Sequence, residues 1–77
     1  MEVKFSFTAN LKYLVGNEDG TVAVETKEPV CLREMLEGLG IPVDKVAFGA
    51  VEGELKGLDY VPRDGETVEL LPVIMGG

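Results

Sequence analysis

Leu32, Met35, Leu36 and Leu39 fall at i, i+3, i+4 and i+7 and form one apolar stripe, the clearest helical period in the chain. Arg33, Glu34, Glu37 and Gly38 lie off that stripe. The stop is well marked. Gly40 supplies a left-handed position after the helix, Ile41 can make the apolar contact beyond it, and Pro42 prevents continuation. Cys31 takes the N-cap position, with Glu34 where a capping box places its acid. A thiol caps less well than a hydroxyl, so the start is softer than the end. A short helix with one apolar face has to bury that face on something else, and the remaining segments read as strands.

Residues Glu2 to Thr8 alternate strictly: Val3, Phe5 and Phe7 share one face, and Glu2, Lys4, Ser6 and Thr8 the other. That period of two marks a half-buried strand. Between Ala9 and Val15 the pattern is irregular, and Leu11, Leu14 and Val15 are expected to anchor a loop or helical turn under the core. The turn cluster 16–20 leads into Thr21–Glu25, a second strand able to pair with the first as a hairpin. After the helix, Val46–Val51 reads as a third strand with apolar residues or glycine on both faces. Glu52-Gly53 turns the chain, and Leu55–Val61 holds a short strand or a turn of helix. Arg63-Asp64-Gly65-Glu66 is another turn, in which Asp64 is expected to bond the local backbone. Thr67–Leu71 is the last strand, and Pro72 is expected to end its pairing. The order implies an α+β fold, a mixed sheet of four to five strands with one main helix on one face. Its first and last strands lie side by side and parallel.

The chain has 77 residues, which allows one small domain with a limited core. Its formal charge is −7, from fourteen acids and seven bases, and the bases are scattered singly. That argues against nucleic acid, whose phosphates require clustered Lys and Arg. A negative surface suits a partner with a basic docking face, and equally suits solubility alone. No apolar run is long enough to span a bilayer, and the first residues lack a signal-peptide pattern, so a cytoplasmic location is expected. The single Cys31 fits a reducing compartment. Histidine is absent, which removes the commonest general base and metal ligand, and no paired cysteines replace it. The composition is a poor one for an enzyme acting alone.

Asp64-Gly65-Glu66-Thr67-Val68, then Leu70-Leu71-Pro72, then Gly76-Gly77, resembles the MoaD/ThiS group of ubiquitin-like, β-grasp sulfur carriers. Phe5-Ser6-Phe7-Thr8-Ala9, Leu14-Val15-Gly16, the Leu32–Leu39 helix and Ala50-Val51-Glu52-Gly53 follow in similar order and spacing. Each motif alone is weak; the combination is specific. Glu52 in place of a common Asn, Cys31 in place of a hydroxyl cap, and Val73 and Met75 before the glycines depart from the family's usual pattern.

The resemblance implies a β-grasp domain over residues 1–72 and a flexible tail over residues 73–77. In that family a partner adenylyltransferase uses ATP, bound on the partner, to form an acyl-adenylate on the terminal glycine. A persulfide donor then supplies sulfur. The resulting thiocarboxylate serves molybdopterin, tungstopterin or thiamine synthesis, in the first case with the large subunit of molybdopterin synthase. Carried over, Gly77 is the reacting residue and Gly76 its slim neighbour, both free of a Cβ that would obstruct a narrow channel. Extended, residues 73–77 reach roughly 17 Å at about 3.3–3.6 Å each. Leu71, Pro72, Val73, Ile74 and Met75 are the expected partner-binding residues. Leu71 reads either as part of that docking patch or as an isolated surface leucine. Cys31 is expected to be a partly buried small side chain, with a reactive thiol as the lesser alternative. The carrier is expected to be a monomer without its own cofactor. A protein modifier joined to lysines through Gly77 shares the adenylation step and is the alternative reading; a pure interaction module is a third.

Overall fold

The computed structural model describes residues 1–16 and 19–73. Five strands and one α-helix follow the chain: β1 Glu2–Phe7, β2 Thr21–Glu25, α1 Leu32–Gly38, β3 Val46–Val51, β4 Glu54–Lys56 and β5 Thr67–Pro72. Short 3₁₀ helices occupy Ala9–Leu14 and Val43–Lys45. The sheet order is β2-β1-β5-β3-β4. β1 and β5 are parallel neighbours at its centre, and the other pairings are antiparallel. This is the α+β arrangement expected from the element order, and the ubiquitin-like β-grasp that the family resemblance implies, with five strands in the described sheet.

The core lies between α1 and one face of the sheet. Val3, Phe5 and Phe7 of β1, Val68 and Leu70 of β5, and Leu32, Met35 and Leu36 of α1 are all buried. Burying a side chain of this size contributes about 1.5–3 kcal/mol, so the central strands and the helix stripe carry most of the stability. The helix lies very close to β3: a Cβ on Gly49 would stand 3.0 Å from Val68 Cγ1 and 3.1 Å from Leu32 Cδ1. Glycine there is what lets Leu32 reach the sheet.

Both helix ends follow from named contacts. Gly40, at φ +77°, ends α1, with Ile41 N–H donating to the Leu36 carbonyl and Gly40 N–H to that of Glu37, each at 3.0 Å. That is the Schellman pair of bonds expected from Gly40-Ile41-Pro42. Leu39 is the C-cap residue and is 37% exposed, so the stripe is buried only as far as Leu36. At the start, Cys31 holds the N-cap backbone position, but its side chain makes no capping bond. The first helical N–H groups are satisfied from elsewhere. Leu32 donates to the Tyr60 carbonyl and Arg33 to that of Leu58, each at 2.9 Å. The segment after β4 therefore replaces the capping box, and a weak capping residue is tolerated.

Two other expectations hold in part and two need correction. The expected helical turn forms over Ala9–Leu14, with Leu11 buried and Val15 half-buried against the core, but Leu14 is 38% exposed. The Leu55–Val61 segment holds only the end of a strand, β4, which starts at Glu54 and stops at Lys56. Asp64 does not bond its own turn: its Oδ1 accepts from Glu2 N–H at 2.7 Å, tying the turn to the start of β1. Pro72 does not end the pairing of β5 with β3, although the parallel pairing with β1 stops at Leu70. Pro72 stands opposite Val46 in the ladder, and beyond it Val73 N–H donates to the Lys45 carbonyl at 3.1 Å. With 45 and 73 bonded directly, 46 and 72 form the non-bonded kind of antiparallel pair. The missing proline N–H thus faces away from β3, and the ladder loses no donor.

Candidate functional site

The expected site is the far end of β5, and three contacts fix the chain as far as Val73. Thr8 N–H and Thr8 Oγ1 both donate to the Leu70 carbonyl, at 3.2 and 2.8 Å. The Val73–Lys45 bond clamps the opposite side of the strand. Between them the register of β5 against β3 shifts by one residue at Ala47. That bulge puts Val46 on the core face and Phe48 on the outer face, although two residues of a regular strand would face the same way. Phe48 consequently stands opposite Leu71.

Of the expected partner-binding residues, Leu71 and Pro72 are half-buried and Val73 is 43% exposed. Ile74, Met75, Gly76 and Gly77 lie outside the described residues. Leu71 is not an isolated surface leucine. It belongs to an apolar strip on the open face of the sheet, made by the cross-strand pairs Phe48–Leu71 and Ala50–Leu55, with Leu55 67% exposed. The strip leads along β5 to Val73. Phe48, Ala50 and Leu55 escaped the sequence reading as candidate residues. The signal was present in Val46–Val51, apolar on both faces, but assigning a face to each residue required the bulge.

Beside the strip the open face turns acidic. Glu69 pairs with Ser6 and with Ala50, and it shares a shallow depression with Glu52, Asp64 and Glu66, four acids against the single base Arg63. Glu66 is structurally engaged. Its Oε1 accepts from Arg63 N–H at 2.8 Å and from Tyr60 Oη at 2.7 Å. Those two bonds, the first foremost, hold its carboxyl below the ordinary glutamate range. The same bond to Glu66, then burial, pushes the Tyr60 phenol up. A second shallow depression, lined by Asn10, Leu11, Leu14, Asp44, Lys45, Pro72 and Val73, lies beside the end of β5. Among the described residues no group of His, Cys, Asp and Glu is arranged to hold a metal, and no helix is long and apolar enough to cross a membrane. Cys31 is half-buried with a free thiol.

The arrangement can hold a strand end rigidly and offer an apolar strip with an acidic flank to another protein.

Residues 1–75 match the family model described as Mut7-C ubiquitin. The crystal structure of SAMP1 from Haloferax volcanii is similar over 100% of both chains, with a TM-score of 0.70 at 20% identity, a likeness of fold. A search of curated proteins yields no match. The family and the fold together bear out the resemblance to MoaD/ThiS-type ubiquitin-like proteins drawn from the sequence. The chain belongs to the Mut7-C ubiquitin family.

Proposed function

We propose that this small ubiquitin-like protein is a sulfur carrier, whose Gly77 carboxylate is activated by a partner and converted to a thiocarboxylate. The observation that carries the reading is the course of β5. Its apolar outer strip, Phe48–Leu71 and Ala50–Leu55, runs directly into a clamped exit at Val73, so docking the strip would aim whatever follows Val73 at one place. Docking on preformed strands also adds little ordering cost for the residues up to Val73. The acidic flank suits a partner with basic residues around its entrance.

A carboxylate is a poor electrophile. In the proposed sequence its oxygen attacks the α-phosphate of ATP on a partner adenylyltransferase, releasing pyrophosphate and leaving an acyl-adenylate at Gly77. A persulfide donor attacks that carbonyl and AMP leaves. Reductive cleavage of the acyl persulfide by a thiol then yields the thiocarboxylate and a disulfide on the donor. The sulfur is destined for a cytoplasmic cofactor synthesis of the molybdopterin, tungstopterin or thiamine kind, with the large subunit of a molybdopterin synthase or its equivalent as receiver. The protein acts as substrate and carrier and leaves catalysis to its partners.

Intact mass spectrometry of the protein from its host, without reductant and with thiols protected, tests this. The expected species is heavier by the difference between sulfur and oxygen, maps to Gly77 and reacts with an alkylating probe, unlike an oxidised methionine. Conjugates joined through Gly77 to lysines, with unmodified free protein, would support the modifier reading in its place. A chain that continues beyond Gly77 in the host would sink both.

A further inference from the structure

The two edges of the sheet are unequal. β4 is three residues long and ends in Lys56, which pairs with Glu54 at 3.7 Å, so that edge is short and charged. Such features discourage further pairing. β2 at the other edge has five residues, Thr21-Val22-Ala23-Val24-Glu25, with neither Lys nor Pro.

The phase of the β1–β2 ladder identifies the groups on that edge. Met1 and Thr26 exchange both backbone bonds, and Phe7 N–H donates to the Gly20 carbonyl at 2.7 Å. On β1, Glu2 N–H and Lys4 N–H turn the other way, to Asp64 Oδ1 and to the Glu66 carbonyl. Val3–Val24 and Phe5–Val22 are therefore the bonded pairs, while Glu2–Glu25 and Lys4–Ala23 are the non-bonded ones. The N–H and C=O of Ala23 and Glu25 consequently point outward, away from β1.

Two side-chain observations say what this edge accepts. On the core side, Val22 and Val24 are only half-buried, whereas their partners on β1, Phe5 and Val3, are fully buried. On the outer side, Glu2 and Glu25 stand directly opposite one another, both exposed. Like charges so placed repel, and neither has an ion-pair partner among the described residues.

We infer that β2 is a docking edge for an extended segment of a partner protein, with aliphatic side chains on one face and basic ones on the other. Its backbone bonds Ala23 and Glu25, its aliphatic side chains cover Val22 and Val24, and its basic side chains relieve the Glu2–Glu25 pair. A second copy of this chain is a poor occupant, because two chains of formal charge −7 repel and β2 supplies no cation to the pair. This surface lies across the sheet from β4 and does not depend on the carrier reading.

The probe is a short capped peptide of alternating lysine and valine, titrated into the intact protein while amide exchange is followed by NMR. Binding is expected to protect the Ala23 and Glu25 amides, whereas a glutamate–valine peptide binds at least about tenfold more weakly. Ala23→Pro removes one outward donor without touching the β1 ladder, and should weaken binding by about tenfold. Glu25→Gln, which leaves the backbone intact, should weaken it severalfold and flatten its salt dependence. Binding that leaves both amides unprotected, or that neither substitution weakens, would overturn the inference, as would no binding at all. Protection that instead rises with protein concentration in the absence of peptide would assign the edge to a second copy and overturn it too.

Discussion

Thr8 gives the Leu70 carbonyl two hydrogen bonds, one from its backbone N–H at 3.2 Å and one from its hydroxyl at 2.8 Å. The contact joins the end of β1 to the last buried residue of β5, two positions before the strand ends at Pro72. Thr8→Val keeps the branched shape and the backbone bond but loses the hydroxyl. It is expected to lower stability by about 0.5–1.5 kcal/mol, measured as a shift in denaturation midpoint at unchanged slope. Amide exchange should quicken at Leu71 and Val73 more than at Val68.

Tyr60 and Glu66 give stability a dependence on pH at both ends of the scale. The Glu66 carboxyl is held low by the Arg63 N–H and the Tyr60 hydroxyl. Its contribution is thus present above the ordinary glutamate range and is lost as pH falls through the lowered folded value. The Tyr60 phenol is raised by the same bond. Its contribution is present below the ordinary tyrosine range and is lost as pH rises through the raised value. Tyr60→Phe should abolish the alkaline loss and shift the acid loss to higher pH, whereas Glu66→Gln should remove the acid loss attributable to this site. Midpoint temperatures across the pH range, compared among the three proteins, check both limbs.

Glu52 sits at φ +51° and Gly53 at φ +82° in the two-residue turn between Val51 and Glu54. Both central residues are left-handed, a conformation that glutamate adopts at a penalty and asparagine accepts more readily. Glu52→Asn should raise stability by up to about 1 kcal/mol, read from denaturant titration. An unchanged or lower midpoint would show that the Glu52 side chain has a compensating role.

The parts of this fold legible in the sequence are those whose cause is local. Val3, Phe5 and Phe7 alternate because one face of β1 is buried, and the Gly40-Ile41-Pro42 stop needs no distant partner. What escaped depends on groups far apart in the chain. The donors at the start of α1 are met by the carbonyls of Leu58 and Tyr60, so Cys31 could not be judged from its own neighbours. Asp64 likewise bonds Glu2, a residue 62 positions away. Pro72 signalled an end by its missing N–H, yet its place in a non-bonded pair leaves the β3 ladder intact, and only the β1 ladder stops, at Leu70. For the site, Leu71 and Val73 were visible as apolar residues near the terminal glycines. Phe48 and Leu55 joined them only through a register that one extra residue, Ala47, decides.

Leu70 and Leu71 are neighbours on β5 with opposite duties, and this offers the sharpest separation of folding from docking. Leu70 is fully buried among the core residues, whereas Leu71 is half-buried beside Phe48 on the open face. Leu70→Ala should cost about 2–5 kcal/mol, with any loss of function following from loss of folded protein. Leu71→Ser leaves the core untouched and should cost under about 1.5 kcal/mol, because only part of its side chain is withdrawn from water. If the strip seats the activating partner, Leu71→Ser should nevertheless reduce the fraction of protein modified at Gly77 in the host by about tenfold or more, as expected for a residue near the centre of an interface. Leu55→Ser, farther along the same strip, should reduce it less. The readouts are the denaturation midpoint of each purified variant and the intact-mass ratio of modified to unmodified protein. A stable Leu71→Ser protein modified as fully as the parent would show that the strip is not the docking surface, and would leave the tail alone to account for recognition.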